Sequence, residues 1–289
     1  MRKPLCILFF LLAGIPLFAQ KKAKPAQRNF DLKEAIAQKV IDVQVTGLGG
    51  HQGECLKITC KNVRGQSLRV RIPQGQLVEP ADSTEQTLVV AEEKWVMVNS
   101  KTPAEVTLRT FCTQAGDRSP LKGSGFSVAA MAPATLCNVL KFITDRVTPT
   151  ADFAAQAAVW TVMGGSTLGS IGDPGLTKFV ADQLGKEVPG YKIKHKTVES
   201  VPGRTADLGK AMVVEGNFRY YLEKDEKVRM VLLDSAGKFV TNISKEETMI
   251  AGEHRSGLHL EVWNLQPGKY TVRMQTKDGR TVKDMEVEF

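Results

Sequence analysis

The sequence predicts a mostly β protein with some α-helix, built from two β-rich units. Short runs that alternate apolar with polar residues fill residues 40–112 and 210–289. They are rich in Val, Ile, Thr and Tyr and are separated by Gly-, Pro-, Asn- and Asp-containing turns, which is typical of strands with one buried face. Between them the apolar residues recur at helical steps of three and four. Strands and helices do not alternate, so a doubly wound nucleotide-binding fold is not expected.

The first 20 residues predict a cleaved signal peptide. Two basic residues precede an apolar run over residues 5–18, and the small residue Ala19 precedes a polar stretch. That order is characteristic of a secretory signal. The run of about fourteen residues is shorter than the roughly twenty needed to span a bilayer. We therefore expect cleavage after Ala19 or Gln20 and a periplasmic, outer-membrane-associated or extracellular protein with no transmembrane segment in its mature chain.

The remaining chain is predicted to fold in four parts. In the first of them, Asp31 is expected to cap a short helix and Glu34 to complete a capping box. The parts are a polar leader with a short helix over 21–39, a β-rich N-terminal domain over 40–185, a linker over 186–209, and a C-terminal antiparallel sandwich over 210–289. The N-terminal domain is expected to be sandwich-like, with a barrel as the alternative, and to be finished by two or three helices.

Three segments carry the helical pattern of that domain. Residues 130–146 and the Ala-rich 151–163 have apolar residues on one stripe, and a third helix is expected from Asp173 onward,. The intervening loop over 164–172 contains four glycines. It lacks the Lys-Ser/Thr ending of a phosphate-binding loop, so we interpret it as a connection.

The charge of the chain is moderately basic. The formal net charge is +8, and removing the two basic residues of the signal peptide leaves +6. An excess of this size favours weak attraction to anionic surfaces. The basic runs at 21–24 and 192–196 have no interleaved aromatic residues, so no nucleic-acid binding is predicted.

Four cysteines remain after cleavage and are candidates for up to two disulfides, since an exported chain matures in an oxidising compartment. They are Cys55, Cys60, Cys112 and Cys137. Residues five apart in a strand lie about 16 Å apart on opposite faces, which disfavours Cys55–Cys60. Two alternatives remain. Either one disulfide joins Cys112 to Cys137, or Cys112 and Cys137 each pair with a cysteine of the strand that contains Cys55 and Cys60. The CxxC spacing of zinc sites is missing, and no metal or cofactor is predicted.

The C-terminal unit resembles two related families of Ig-like domain. One is the flagellar-hook-cap type, and the other is the C-terminal sorting domain of proteins exported by the type IX secretion system of Bacteroidota. The matching turn residues are Asp234, Gly237, Ala251, Gly252, His254, Leu265, Pro267, Gly268 and Tyr270. The unit that contains them, 210–289, covers about a quarter of the chain, and most of them are ordinary turn-forming types,. The resemblance implies an Ig-like sandwich, although the chain ends in DMEVEF where sorting domains end in a basic, apolar segment.

The N-terminal domain is similar in two places to the surface thioester domains of Gram-positive adhesins. The segments are FCTQAGDRSP at 111–120 and AAQAAVW at 154–160. The second is similar to the TQxA[IV]W motif of that family, with Ala155 in place of its Thr. The resemblance implies that Cys112 and Gln156 form an internal thioester, which captures an amine of the host.

These observations favour a non-enzymatic exported protein with a binding or structural role, whose partner is a protein or glycan of the envelope or extracellular space. No nucleophile, base and orienting acid occur in a recognisable order, and no GxSxG motif is present,. Ig-like domains of exported proteins present surfaces more often than chemistry. The alternative is an activity of the N-terminal domain, either hydrolysis or covalent amine capture through Cys112 and Gln156.

Overall fold

The computed structural model describes residues 28–50, 52–146, 152–196 and 201–289. The predicted signal peptide and the start of the leader lie outside these residues. Within them the protein is mostly β, as predicted, with several antiparallel sheets and four helices. The helices are α1 (Leu32–Ala37), α2 (Ala134–Asp145), α3 (Asp152–Met163) and α4 (Pro174–Leu184). None of these described helices is long and apolar enough to cross a membrane.

The first unit contains two sheets. The smaller has three strands, β1 (Arg28–Asp31), β4 (Leu68–Ile72) and β7 (Lys94–Val98). The larger is a closed antiparallel barrel whose members in chain order are β2 (Ile41–Gly47), β3 (Gln52–Asn62), β5 (Gln76–Pro80), β6 (Leu88–Val90), β8 (Ala104–Cys112) and β9 (Gly125–Met131). The unit is therefore a barrel, the alternative that the sequence allows, and not the sandwich that it favours. Strand β9 closes it, because β9 pairs with β2 on one side and with β5 on the other.

Asp31 does not cap α1, so the predicted capping box is wrong. It lies at the end of β1, opposite Arg71 of β4. Its two carboxylate oxygens each accept a 2.7 Å hydrogen bond from the Arg71 guanidinium. A guanidinium gives the carboxylate two parallel charge-assisted hydrogen bonds with an opposite charge, so the carboxylate turns toward the arginine and away from the helix N-terminus.

Helices α2, α3 and α4 pack together on one side of the barrel. Their core includes Leu136 and Leu140 of α2 with Phe111 of β8. Helix α3 is buried nearly all around, as its Ala-rich sequence allows, because it lies between the barrel and its two neighbours,. Helix α4 begins as predicted: the Asp173 carboxylate accepts a 2.8 Å hydrogen bond from the Leu176 backbone N–H,.

The second unit contains two antiparallel sheets around one apolar core. One sheet has the order β10-β11-β15, and the other has the order β13-β12-β16-β17 with β14 also paired to β12. Their bounds are β10 (Tyr191–His195), β11 (Ala211–Leu222), β12 (Glu226–Asp234), β13 (Phe239–Asn242), β14 (Glu247–Met249), β15 (Gly252–Glu261), β16 (Lys269–Thr276) and β17 (Thr281–Glu288). Two runs that the sequence shows separately, AMVVEG and FRYYLE, form the single strand β11.

The predicted turn residues of this unit lie in turns or near strand ends, except His254, which lies within β15 opposite Tyr220. The Asp234 carboxylate accepts 2.9 Å hydrogen bonds from the backbone N–H groups of Ala236 and Lys238, and Gly237 has the positive φ of 78° that this turn requires,. Gly252 begins β15, and the Pro267–Gly268 pair precedes β16. The Tyr270 hydroxyl donates a 2.8 Å hydrogen bond to the Gln266 carbonyl, which fixes the chain as it enters β16.

The segment predicted as a linker, 186–209, is partly built into the two units. It contains β10, which pairs with β11 of the second unit. Residues 201–208, which we call the strap, return to the barrel and hydrogen-bond to the turn that follows β8. The chain therefore returns to the barrel between β10 and β11 of the second unit.

Candidate functional site

Cys112 and Gln156, which are 44 positions apart in sequence, are in direct contact. The Cys112 backbone N–H donates a 3.1 Å hydrogen bond to Gln156 Oε1. In return, Gln156 Nε2 donates a 2.8 Å hydrogen bond to the Cys112 carbonyl. Cys112 is 0% exposed and Gln156 is 1% exposed. A side-chain carboxamide is thus held by both backbone groups of one buried cysteine.

The local structure explains how these residues meet. Cys112 is the last residue of β8, and it lies in the barrel core together with Leu108 of the same strand. In α3, Gln156 and Trp160 are one turn apart and therefore lie on one face of the helix,. Trp160 belongs to the barrel core, whereas the alanines of α3 pack among the helices. The Gln156 face of α3 is accordingly the face turned toward the barrel.

Burial determines the protonation of the cysteine. Removal from water raises the pKa of the Cys112 thiol well above its ordinary value, and the nearby Cys55 raises it further,. Burial likewise raises the pKa of Cys60 to about 11. An uncharged sulfur, whether in a thiol or in a thioester, is therefore favoured at Cys112 over a thiolate.

None of the four cysteines in the described residues forms a disulfide, so the structure gives no support to the predicted bridges. A register shift between Glu54 and Leu56 interrupts the alternation of β3, and Cys55 and Cys60 both lie in the barrel core instead of on opposite faces,. Cys112 lies in that same core, but Cys137 packs in the separate helical core. Its Sγ lies 3.5 Å from the Ala132 carbonyl oxygen.

Among the residues that the structure describes, no group of three or more His, Cys, Asp or Glu side chains could hold a metal ion. His254 stacks on Tyr220 with 5.2 Å between ring centroids, and His259 lies 3.6 Å from the Glu215 carboxylate. His51 lies outside the described residues.

The sequence did not indicate a contact between Ser170 and His195. Ser170 ends a 3₁₀ turn of the first unit and His195 ends β10. His195 Nε2 lies 3.1 Å from Ser170 Oγ, and His195 Nδ1 lies 2.9 Å from the Gly209 carbonyl oxygen. This is the spacing of a nucleophile and a base, but Ser170 is only 3% exposed. The contact joins the 3₁₀ turn to β10, and we interpret it as structural.

Acidification is expected to weaken this contact. Burial lowers the pKa of His195 below its ordinary 6.5, against smaller opposing effects of the Gly209 carbonyl and Asp207. A histidine whose folded-state pKa is depressed contributes stability above the unfolded pKa and loses it as the pH falls toward the folded pKa. The urea midpoint of the native protein should therefore fall when the pH is lowered from 7.5 to 5. It should fall less in His195→Gln. The matched variant His259→Gln, at an exposed position, should keep the full drop; an unchanged drop in His195→Gln would contradict the assignment.

A cleft of about 500 Å³ lies where the first unit meets the second. Its polar lining includes Lys192, Glu215 and His259 of the C-terminal sheet. At this junction the Tyr191 ring of β10 lies against Gly169 of the first unit, where a Cβ atom would come within 2.7 Å of the ring. A side-chain ring of the second unit therefore packs directly on the backbone of the first.

No family model matches the chain, and no curated protein matches it either. The functional assignment accordingly depends on the geometry of the residues themselves.

Proposed function

We propose that the protein is an exported binding protein that captures an amine-bearing partner covalently, through a thioester between Cys112 Sγ and Gln156 Cδ. The observation that carries this proposal is the pair of reciprocal hydrogen bonds between Cys112 and Gln156 in a buried site. The partner is then a protein with an accessible lysine side chain, because an uncharged primary amine is the nucleophile that converts a thioester into a stable amide.

The reaction would proceed in two balanced steps. In the first, Cys112 Sγ adds to Gln156 Cδ, the thiol proton passes to the departing nitrogen, and ammonia leaves. In the second, the nitrogen of an amine bonds to Cδ, the carbon–sulfur bond breaks, and the amine proton returns to the sulfur. Gln156 ends as a substituted amide and Cys112 as a thiol.

The surroundings support both steps. The Cys112 N–H donates to Gln156 Oε1 and so stabilises the negative charge that develops on this oxygen when Cδ is attacked,. Burial keeps water away from the thioester, which slows its hydrolysis,. Ala155, the position at which this chain departs from the thioester-domain motif, is fully buried in the helical core and does not belong to the barrel cluster that contains Cys112.

The rest of the chain fits a surface or envelope location. The charge order of residues 1–20 supports export. We propose that the C-terminal unit is an Ig-like sandwich of the flagellar-hook-cap or type IX sorting kind, supported by its two packed sheets and by the turns at Asp234 and Tyr270. Mass spectrometry of protein recovered from the outside of its cells tests the sorting role. Loss of residues 210–289 supports sorting, and their retention supports a permanent module.

The thioester is tested by incubating the purified mature protein with methylamine and mapping its peptides. The peptide that contains Gln156 should gain about 14 Da, the difference between an amide and its N-methyl derivative, and Cys112 should at the same time become reactive to a thiol label. The peptide that contains Gln38, an exposed glutamine, is the internal control and should remain unmodified. Uptake that persists in Cys112→Ala, or no uptake at Gln156 in the native protein, contradicts the proposal.

A further inference from the structure

The turn that follows the buried Cys112–Gln156 pair is held by a segment that is distant in sequence. Ala206 of the strap accepts a 2.9 Å hydrogen bond from the Gly116 N–H and donates a 3.0 Å hydrogen bond to the Asp117 carbonyl. The Ser119 N–H donates a 2.8 Å hydrogen bond to the Arg204 carbonyl. The strap therefore holds the turn that directly follows Cys112.

The strap also fills part of the core that contains the pair. Ala206 is 1% exposed and belongs to the same buried cluster as Cys112 and Trp160. Leu208 packs against both the barrel core and the helical core. Ala115, in the turn after Cys112, lies so close to Gly165 at the end of α3 that a Cβ on Gly165 would be 3.0 Å away. Displacing the strap would thus release the turn that adjoins the pair.

The strap is not part of a sheet. Four backbone hydrogen bonds join it to residues 116–119, with one isolated bridge, between Arg118 and Thr205, in place of a continuous ladder. Its first residue is fixed by one side chain, since Ser119 Oγ donates a 2.8 Å hydrogen bond to the Val201 carbonyl. A short segment outside any sheet, most of whose residues are not buried, opens locally at a lower free energy than the strands of a closed sheet,.

We propose that the strap is a displaceable cover that controls the access of primary alkylamines to the Cys112–Gln156 thioester. The proposal rests on the proposed function, and it adds how the site is regulated and which amines it takes first. A small amine enters during brief openings, whereas a lysine side chain attached to a protein reacts only when the strap is held away. The barrel itself does not open.

The test measures the rate of amine uptake at Gln156 in the full mature chain. Ser119→Ala removes the side-chain hydrogen bond to Val201. It should speed methylamine uptake about fivefold, because the uptake rate follows the fraction of molecules in which the strap is open, and the loss of one neutral hydrogen bond raises that fraction about fivefold. Ala206→Asp places a carboxylate in the buried anchor position and should speed uptake more. Ser235→Ala, at an exposed turn of the C-terminal unit, is the matched control and should react at the native rate.

A second probe separates access from chemistry. In the native protein a biotin-tagged pentylamine should react more slowly than methylamine, and this difference should shrink in Ser119→Ala and Ala206→Asp. A circular dichroism melt identifies any loss of folding in Ala206→Asp, in which case Ser119→Ala decides the result alone. Equal rates in Ser119→Ala and the native protein, with the thioester present, overturn the cover but leave the proposed function intact. A native protein that lacks the thioester overturns both.

Discussion

Relative to the form in which the Gln156 amide is intact, replacing Gln156 by Leu is expected to lower the free energy of unfolding by about 2–5 kcal/mol, because it leaves two buried backbone groups without partners. The Cys112 N–H and the Cys112 carbonyl each make one hydrogen bond to this side chain. Leucine fills a similar volume, so the loss comes from the hydrogen bonds and not from a cavity. Urea unfolding followed by circular dichroism measures the change.

The matched control is Gln38→Leu. Gln38 is exposed after α1, and its side chain donates a 2.9 Å hydrogen bond to the Glu34 carboxylate at the surface. Its replacement should change the free energy of unfolding by less than about 0.5 kcal/mol. If Gln156→Leu were as mild as Gln38→Leu, the contact with Cys112 would not hold α3 against the barrel, and the geometry of the candidate site would be wrong.

Replacing Gly216 by Ala is expected to destabilise the protein by about 1–3 kcal/mol, because the new methyl group has no space. A Cβ on Gly216 would lie 2.5 Å from the Gly190 carbonyl oxygen and 3.1 Å from the Tyr191 Cα. Both are backbone atoms, so neither can turn aside as a side chain could. The strands β10 and β11 would have to separate at the junction of the two units.

The neighbouring strand provides a matched control in Gly257, which lies opposite Asn217 of β11. A Cβ on Gly257 would meet no atom within 4 Å. Gly257→Ala should stabilise the protein by about 0.4–1 kcal/mol by restricting the unfolded chain. Thermal unfolding of both variants compares them directly. Similar melting temperatures would show that β10 does not lie against Gly216.

Strands with clear alternation could be predicted from the sequence, whereas closure of the barrel could not. The runs that became β2, β4 and β8 have β-branched residues on one buried face. Strand β9 reads GFSVAAM and β5 ends at a proline, so both resemble turn or helix sequence. They become strands because they pair with each other and with strands distant in sequence. Such pairing cannot be predicted from the local pattern of apolar and polar residues.

The candidate site shows the same division. Cys112 and Gln156 were selected together only through a motif resemblance, since a Gln on an Ala-rich helix is not distinctive by itself. The presence of Cys55 in the barrel core follows from a bulge, which shifts the alternation by one residue and leaves no mark in the sequence,. The Ser170–His195 contact joins a glycine-rich loop to a strand of the other unit, and no spacing rule connects them.

The intact mass of the purified mature protein, measured before any amine or reductant is added, tests covalent capture most directly. Covalent capture predicts a mass about 17 Da below the value calculated for four free thiols, which corresponds to the loss of one ammonia. Cys112→Ala and Gln156→Ala should each have their calculated mass. A native protein at its calculated mass would rule out the thioester. A mass about 2 Da or 4 Da below the calculated value, restored by reduction, would also rule it out. Such a mass indicates one or two disulfides, and Cys112 would not be joined to Gln156.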